Sequence, residues 1–483
     1  MTKAQLDELH FTSESMDRPI DTVGTASGLL RQVSSHHRTS VILAFLLLVH
    51  VGWIVWQSAT NMPTIDFLTF WSVSHALSRK PIANIYSPDS QRDIASLAVS
   101  EAQSPDASEL QQQTTARVAQ LYSGRIDTTG TPLLYAAIGW LSSGNFRTDQ
   151  RRFVFICMLC LVLSMLVLKD LLRFSVVEIS LLIIFTATYY APVLADMQVG
   201  NVNEIQLFAI ALFIFFTARA QPLLAGLTIG MATMLKPTLL MVLALSVIAG
   251  LADREYRQLL RMFAGCFIAA AASFVASAAY FRNPAIWIDF LQTLPRTLNG
   301  VSYSLQNGNF SLSELLFGAT GGSSIVIPLI LLCIFSWLLF ITRPSDRPTP
   351  TMLPKEIDEA RRMHSAFAVG GGGCAIMLLS SPLVWPHYYL LLLPLSLYVM
   401  RPVFERKDAP SVRGIRVWSV AALILPFILL LMFSFLTELI VKNDPLSICI
   451  VFTLGTASTL ALASYRFWQQ RRVFNVSSAL ARS

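Results

Sequence analysis

The sequence predicts an all-α polytopic membrane protein: a bundle of about a dozen transmembrane helices with a long first extracytoplasmic loop containing short interfacial helices. Three observations carry that expectation. Only 13% of the 483 residues are charged and 54% are hydrophobic, about half the charged fraction of an ordinary soluble domain. The mean hydropathy is +0.56. Apolar runs near the length that crosses a ~30 Å hydrocarbon core recur along most of the chain.

In chain order, residues 1–39 are polar and mixed in charge, with no short apolar core and small-residue cleavage site. They read as a flexible cytosolic tail, not a signal peptide. The membrane domain is expected over 40–468 and a second cytosolic tail over 469–483. Residues 41–57 form the first span, and 59–151 the first extracytoplasmic loop, rich in Pro, Ser, Asp and Gln up to residue 130. The stretch TGTPLLYAAIGWLSS at 129–143 is too short for a normal span and reads as an interfacial or re-entrant helix.

Further apolar segments lie near 152–172, 174–195, 204–218, 222–251, 259–281, 324–341, 365–381, 386–401, 416–439 and 446–467. The segment 222–251 would make roughly 45 Å of helix, too long for one span. Lys236-Pro237 interrupts it, since proline breaks a helix and a lysine is costly at depth, so two short spans are expected to meet there.

The formal charge of +7 does not point to nucleic acid. Arginines and lysines gather in the loops after 251, 341 and 401 and beyond the last span, which the positive-inside rule places in the cytoplasm. The six cysteines all lie in apolar segments and read as small buried hydrophobes. The lone C-x-x-C at Cys157 and Cys160 has no second pair or histidine nearby, so a metal site is not expected.

On this orientation, polar groups from distant parts of the chain converge on the non-cytoplasmic face. They are Asp66, Asp196, Gln198, Asn201, Asn203, Glu204, Lys236, Arg296, Asn307, Asn309, Trp385 and His387. Asp66, in TIDFLTFWSVSHAL, either caps a helix or pairs with Arg79 or Lys80, or is a general base. For the base, Phe67, Phe70 and Trp71 supply an apolar wall that raises its pKa, and His75 lies on or near the same face. Lys236 either snorkels to the interface or is a fixed cation for a phosphate, and the broken helix favours the second. In SPLVWPHYYLLLLP, Trp385 is a belt residue or a sugar platform, and His387 bonds a backbone carbonyl or a substrate group. Gln198, Asn201 and Asn203 offer neutral hydrogen-bonding groups, or are only helix-end polar residues, and Gly200 allows close backbone approach. G-x-x-x-G at Gly226 and Gly230 is most simply helix packing. No D-x-D acid pair on the outer face, metal-spaced His/Cys cluster, P-loop or phosphate-cradling glycine motif is present, so neither a divalent cation nor a nucleotide is indicated, and no cofactor is expected.

Taken together, DFLTFW, NIYSP, TPLLY, QVGNVNEIQLF, AGLTIGMATMLKPTLLM and SPLVWPHYYLLLLP resemble, in order and spacing over most of 60–400, glycosyltransferase family 87, of the GT-C type. The resemblance implies inverting sugar transfer, usually of mannose, from a polyprenyl-phosphate donor to a lipid or glycan acceptor. It places the site on the non-cytoplasmic side of a bacterial-type plasma membrane. Carried over, Asp66 is the base, and Lys236 and His387 are phosphate and substrate ligands. Arg296 supports the phosphate, while Gln198, Asn201, Trp385 and Tyr86 (of NIYSP) complete the substrate-binding set. TPLLY lacks the usual paired prolines, and Pro386 precedes the histidine where an acidic residue followed by His-His is common. Two rivals stand beside this reading: a transporter or flippase of lipid-linked sugars, which broken helices would also suit, and a non-catalytic scaffold in envelope synthesis.

Overall fold

The computed structural model describes residues 22–121, 124–300, 308–317, 355–404 and 445–480, and every regular element among them is helical. The apolar segments expected near 324–341 and 416–439, together with Asn307 and Cys333, lie outside the described residues, as does the side chain of Arg296.

Helix α1 (Thr22–Thr60) delivers the chain to α2 (Ile65–Arg79), α3 (Pro88–Ala102), α4 (Glu109–Leu121) and α5 (Pro132–Leu141). These are short because local chemistry stops them. Ser87 and Thr131 cap α3 and α5 through their side chains, each with a proline at the first helical position. At 10 residues α5 is about 15 Å long. Helices α6 (Phe146–Leu172), α7 (Val176–Tyr189) and α8 (Ala191–Val199) follow, with α7 and α8 bent by 59° at Tyr190. Then come α9 (Asn203–Ala218), α10 (Pro222–Leu235), α11 (Leu240–Ala252), α12 (Tyr256–Phe281), α13 (Ile286–Gly300) and α14 (Leu312–Phe317). Further along, α15 (Lys355–Ser380), α16 (Leu393–Phe404) and α17 (Pro445–Leu480) complete the described chain.

Five of these helices contain stretches long and apolar enough to cross a membrane, or six if α7 and α8 are one broken span. Helices α5, α9, α10 and the segment Pro237–Ala252 are shorter apolar helices. Apolar side chains stand exposed on α1 and α12, with Leu43 64% and Phe267 74% accessible, as lipid-facing surfaces do. In contrast, 83% of the apolar window of α15 is buried, which makes it the central helix of the bundle.

The expected break in 222–251 is present. Helix α10 ends at Leu235, Lys236 is extended, and a 3-10 turn over Pro237–Leu239 leads into α11. The G-x-x-x-G stripe packs α10 on α12: a Cβ on Gly226 would collide with the Met262 carbonyl, and one on Gly230 would sit 2.9 Å from Cys266 Cα.

Two apolar cores form. One joins α1, α6–α12 and α15–α17. The other gathers α2–α5 with Phe153, Cys157, Val202, Phe281 and Phe290. Among the places where the chain passes from one to the other are the stretches between Met197 and Val202 and between Leu235 and Leu239. Asn201 and Lys236 lie at those crossings.

Candidate functional site

Asp66 occupies the first turn of α2, where the helix dipole favours negative charge. The N-cap residue Thr64 makes no side-chain capping bond. Its hydroxyl instead accepts from Gln150 Nε2 at 3.1 Å, and the same amide donates to the Met62 carbonyl. Helix α6 thus pins the junction that carries Asp66. Next to it, Phe67 stacks on Phe153 with ring centroids 4.9 Å apart.

Helix α8 meets α2 through Gly200, which adopts the left-handed region at φ +72°. A Cβ there would stand 2.8 Å from Phe67 Cβ and 2.9 Å from Thr64 Cβ, so only glycine permits this approach. The result is that Asn201 Nδ2 donates to Asp66 Oδ2 at 2.6 Å.

From there a single chain of bonds crosses the site. Lys236 Nζ donates to Asn201 Oδ1 at 3.0 Å and to Asn203 Oδ1 at 3.1 Å. Asn203 Nδ2 donates to Asp196 Oδ1 at 2.6 Å. Each asparagine turns its amide nitrogen to a carboxylate and its oxygen to the lysine, an assignment those partners dictate. The ammonium also lies 4.0 Å from the centre of the Tyr388 ring, a cation–π contact. Gln206 donates to the Lys236 carbonyl, and Thr131 at the start of α5 donates to the Leu235 carbonyl at 2.8 Å. Both hold the broken helix in place.

Enclosure by protein pushes the Asp66 carboxyl up from 3.8 to about 6. The Asn201 hydrogen bond and the Lys236 charge pull it down, while Asp196 and Asp127 push it up. The group is therefore mostly ionised at neutral pH, yet a far better proton acceptor than an ordinary aspartate.

His387 is buried in a 3-10 turn that begins at Pro386, and its Nε2 has no hydrogen-bond partner among the described residues. Leaving such an atom unpaired costs about 1–3 kcal/mol, a cost that a ligand at this position would remove. The turn carrying His387 and Tyr388 is held from several sides. Tyr190 donates to the Tyr389 carbonyl at 2.8 Å, Tyr389 donates to the Phe310 carbonyl, and Asn309 bonds both Pro382 and Val384.

The remaining candidates are placed elsewhere. Gln198 is exposed and lines a pocket with Met62, Pro63, Ile65, Arg117 and Val199, outside the lysine network. Tyr86 is buried and donates to the Gly130 carbonyl at 2.9 Å, fixing the segment before α5. Trp385 is half-buried beside Gly308, where an added Cβ would come within 3.0 Å of its ring. Arg296 lies on α13, its side chain outside the described residues. His75 stacks on Trp71 at 4.5 Å and meets Glu101 at 2.6 Å, so it faces away from the Asp66 network. Arg79 and Lys80 pair with Glu101 and Asp93, leaving neither as a partner of Asp66.

Two residues of the site are not singled out by sequence patterns. Tyr388 stands beside the more conspicuous His387, although a Trp-x-His-Tyr run offers two aromatic faces. Asp127, whose charge bears on Asp66, sits in a loop with no periodicity to flag it. Among the described residues, no three His, Cys, Asp or Glu side chains converge as a metal site.

An all-helical bundle with a carboxylate, a cation and, among the described residues, an unpaired histidine nitrogen defines a membrane protein built around a buried polar site. Residues 129–354 match the model of glycosyltransferase family 87. The match spans a little under half of the chain, and over that segment the chain is similar to a family of membrane glycosyltransferases. The segment contains Asn201, Asn203 and Lys236; Asp66, Tyr86, Trp385 and His387 fall outside it. No curated protein and no solved structure matches the chain.

Proposed function

We propose that the protein transfers a sugar, mannose by the family resemblance, from a polyprenyl-phosphate donor to a hydroxyl of a lipid or glycan acceptor. Transfer is by inverting displacement, without a metal, at the non-cytoplasmic face of a bacterial-type plasma membrane. The observation that carries this reading is the Asp66–Asn201–Lys236 chain, which holds a raised-pKa carboxylate and an ammonium one amide apart.

Asp66 takes the proton of the acceptor hydroxyl as its oxygen bonds to the anomeric carbon. The bond from that carbon to the phosphate oxygen breaks, and its electron pair leaves with the lipid phosphate. Lys236 stabilises that departing charge, and His387 Nε2 is free to hydrogen-bond the donor. A single displacement with base and leaving group on opposite sides of the ring inverts the anomeric centre.

The test is transfer by purified protein from polyprenyl phosphomannose to a membrane-lipid acceptor extract, wild type beside Asp66→Asn. Transfer by wild type alone, with both proteins equally folded, supports the reading. Equal transfer by both removes Asp66 from the chemistry.

A further inference from the structure

The junction that carries Asp66 also forms one wall of a separate pocket of about 300 Å³, bounded by Met62, Pro63, Ile65, Arg117, Gln198 and Val199. Its lining combines four apolar residues with two polar ones, Arg117 and Gln198. Arg117, on the outer face of α4, is exposed and has neither ion pair nor hydrogen bond among the described residues. That differs from Arg79, Lys80 and Arg92 on the neighbouring helices and loops, each of which meets a carboxylate. Gln198 is likewise exposed and unpartnered among the described residues.

We propose that this pocket seats an anionic phosphate group of the acceptor, held by the Arg117 guanidinium with the Gln198 amide beside it. The inference rests on Asp66 as the transfer base. Position argues for the acceptor. Ile65 immediately precedes Asp66, a step of about 3.8 Å between Cα atoms. Gln198 and Val199 run directly into Gly200, which abuts Thr64 and Phe67, and Asn201, which donates to Asp66. The pocket and the base are thus built from the same two chain junctions, and an acceptor anchored here presents its hydroxyls to Asp66.

Chemistry argues for phosphate. A guanidinium offers a planar fork that matches phosphate oxygens in two parallel bonds. The volume is at the small end of ligand pockets and suits a phosphate with a polyol or single sugar. Such a group comes either on a lipid head group from the membrane or on a soluble phosphorylated acceptor.

The experiment uses the purified full chain in a neutral detergent, titrated calorimetrically with dihexanoyl phosphatidylglycerol and separately with glycerol 3-phosphate. Saturable, salt-sensitive binding is expected, weakened at least tenfold by Arg117→Ala, less by Gln198→Ala and least by Arg117→Lys. Binding of the lipid alone assigns the head group to the membrane; binding of glycerol 3-phosphate, with or without the lipid, shows that the phosphate itself suffices. Binding of neither, or equal binding by Arg117→Ala, overturns the proposal.

A second arm separates it from the transferase reading. Binding that depends on Arg117, with no sugar transfer to any acceptor, leaves the pocket standing and removes the transferase. Transfer to an anionic glycolipid that depends on Asp66, with an acceptor KM unchanged by Arg117→Ala, does the reverse.

Discussion

Lowering the pH from 8 to 5 titrates Asp66, and the structure sets how steeply transfer should fall. With the carboxyl at about 6, the ionised base drops from nearly full occupancy to roughly one tenth, so the rate falls about tenfold. A carboxyl left at 3.8 would lose only about 6% over the same range. The assay is initial-rate transfer across pH, both at saturating donor and acceptor and well below KM. Asn201→Ala supplies the second reading. The Asn201 amide favours the ionised form, so its removal raises the pKa, and a charge-assisted hydrogen bond of about 1.5 kcal/mol corresponds to roughly one unit. The acidic limb should therefore move towards neutrality in that variant. A rate flat to pH 5 would refute the argument, as would a limb near 6 persisting in the residual transfer of Asp66→Asn.

The other perturbations test neighbouring links. Asp66→Asn should cost about 10²–10⁴-fold in kcat, the span of general-base contributions. Because the folded protein binds the Asp66 proton more tightly than the unfolded chain, this group stabilises fully below 3.8 and loses that stabilisation as pH rises through about 6. A shift of about two units is worth up to about 3 kcal/mol, so Asp66→Asn should show a higher apparent Tm than wild type at pH 8 and none of that gain near pH 4. Lys236→Met should lower kcat about 10²–10³-fold by leaving the departing phosphate unneutralised, with single-turnover donor cleavage as the readout. Gly200→Ala should destabilise by about 1–3 kcal/mol, since a left-handed turn and two sub-3 Å contacts oppose the new methyl. It should also lower transfer by parting Asn201 from Asp66, seen as loss of activity with retained membrane insertion.

How much of this is legible in the chain depends on the range of the signal. The break at Lys236 is legible because a proline and a charge are each costly inside an apolar helix, and together they mark where it must end. So is the close approach at Gly200, where a glycine separates two polar clusters. The same holds for the packing role of Gly226 and Gly230. The pairing of Asp66 with Asn201, 135 positions apart, is not legible, because periodicity reports only which face of its own helix a residue occupies. Gln198 and Asn201 fall into one group for the same reason. The left-handed turn at Gly200 lies between them, and it leaves one at the outer pocket and the other on Asp66. Nor does the chain reveal that Asp149, buried at 4% exposure, is satisfied by Trp71, Ser142, Ser143 and Gly144. That acid locks α2 to the start of α6 and so orients the turn bearing Asp66. Composition does not distinguish such a structural acid from a reactive one; the donors around it do.

The asparagines explain how a base and a cation coexist in one enclosed site. A direct pair between Asp66 and Lys236 would hold the carboxyl below the usual carboxylate range and remove its capacity to accept a proton. It would also commit the lysine's charge to a protein group. Inserting the Asn201 amide keeps both groups hydrogen-bonded while leaving the carboxyl at about 6. Asn203 repeats the device towards Asp196, so the ammonium lies between two carboxylates and reaches each through an asparagine amide. In the proposed reaction the leaving phosphate would compete for a cation that hydrogen-bonds only neutral acceptors and faces an aromatic ring, which it would displace more readily than a carboxylate. The same logic explains the broken helix. An unbroken 222–251 segment would bury Lys236 in the bilayer, whereas the turn at Pro237 carries it to the meeting point of the two cores, beside the base.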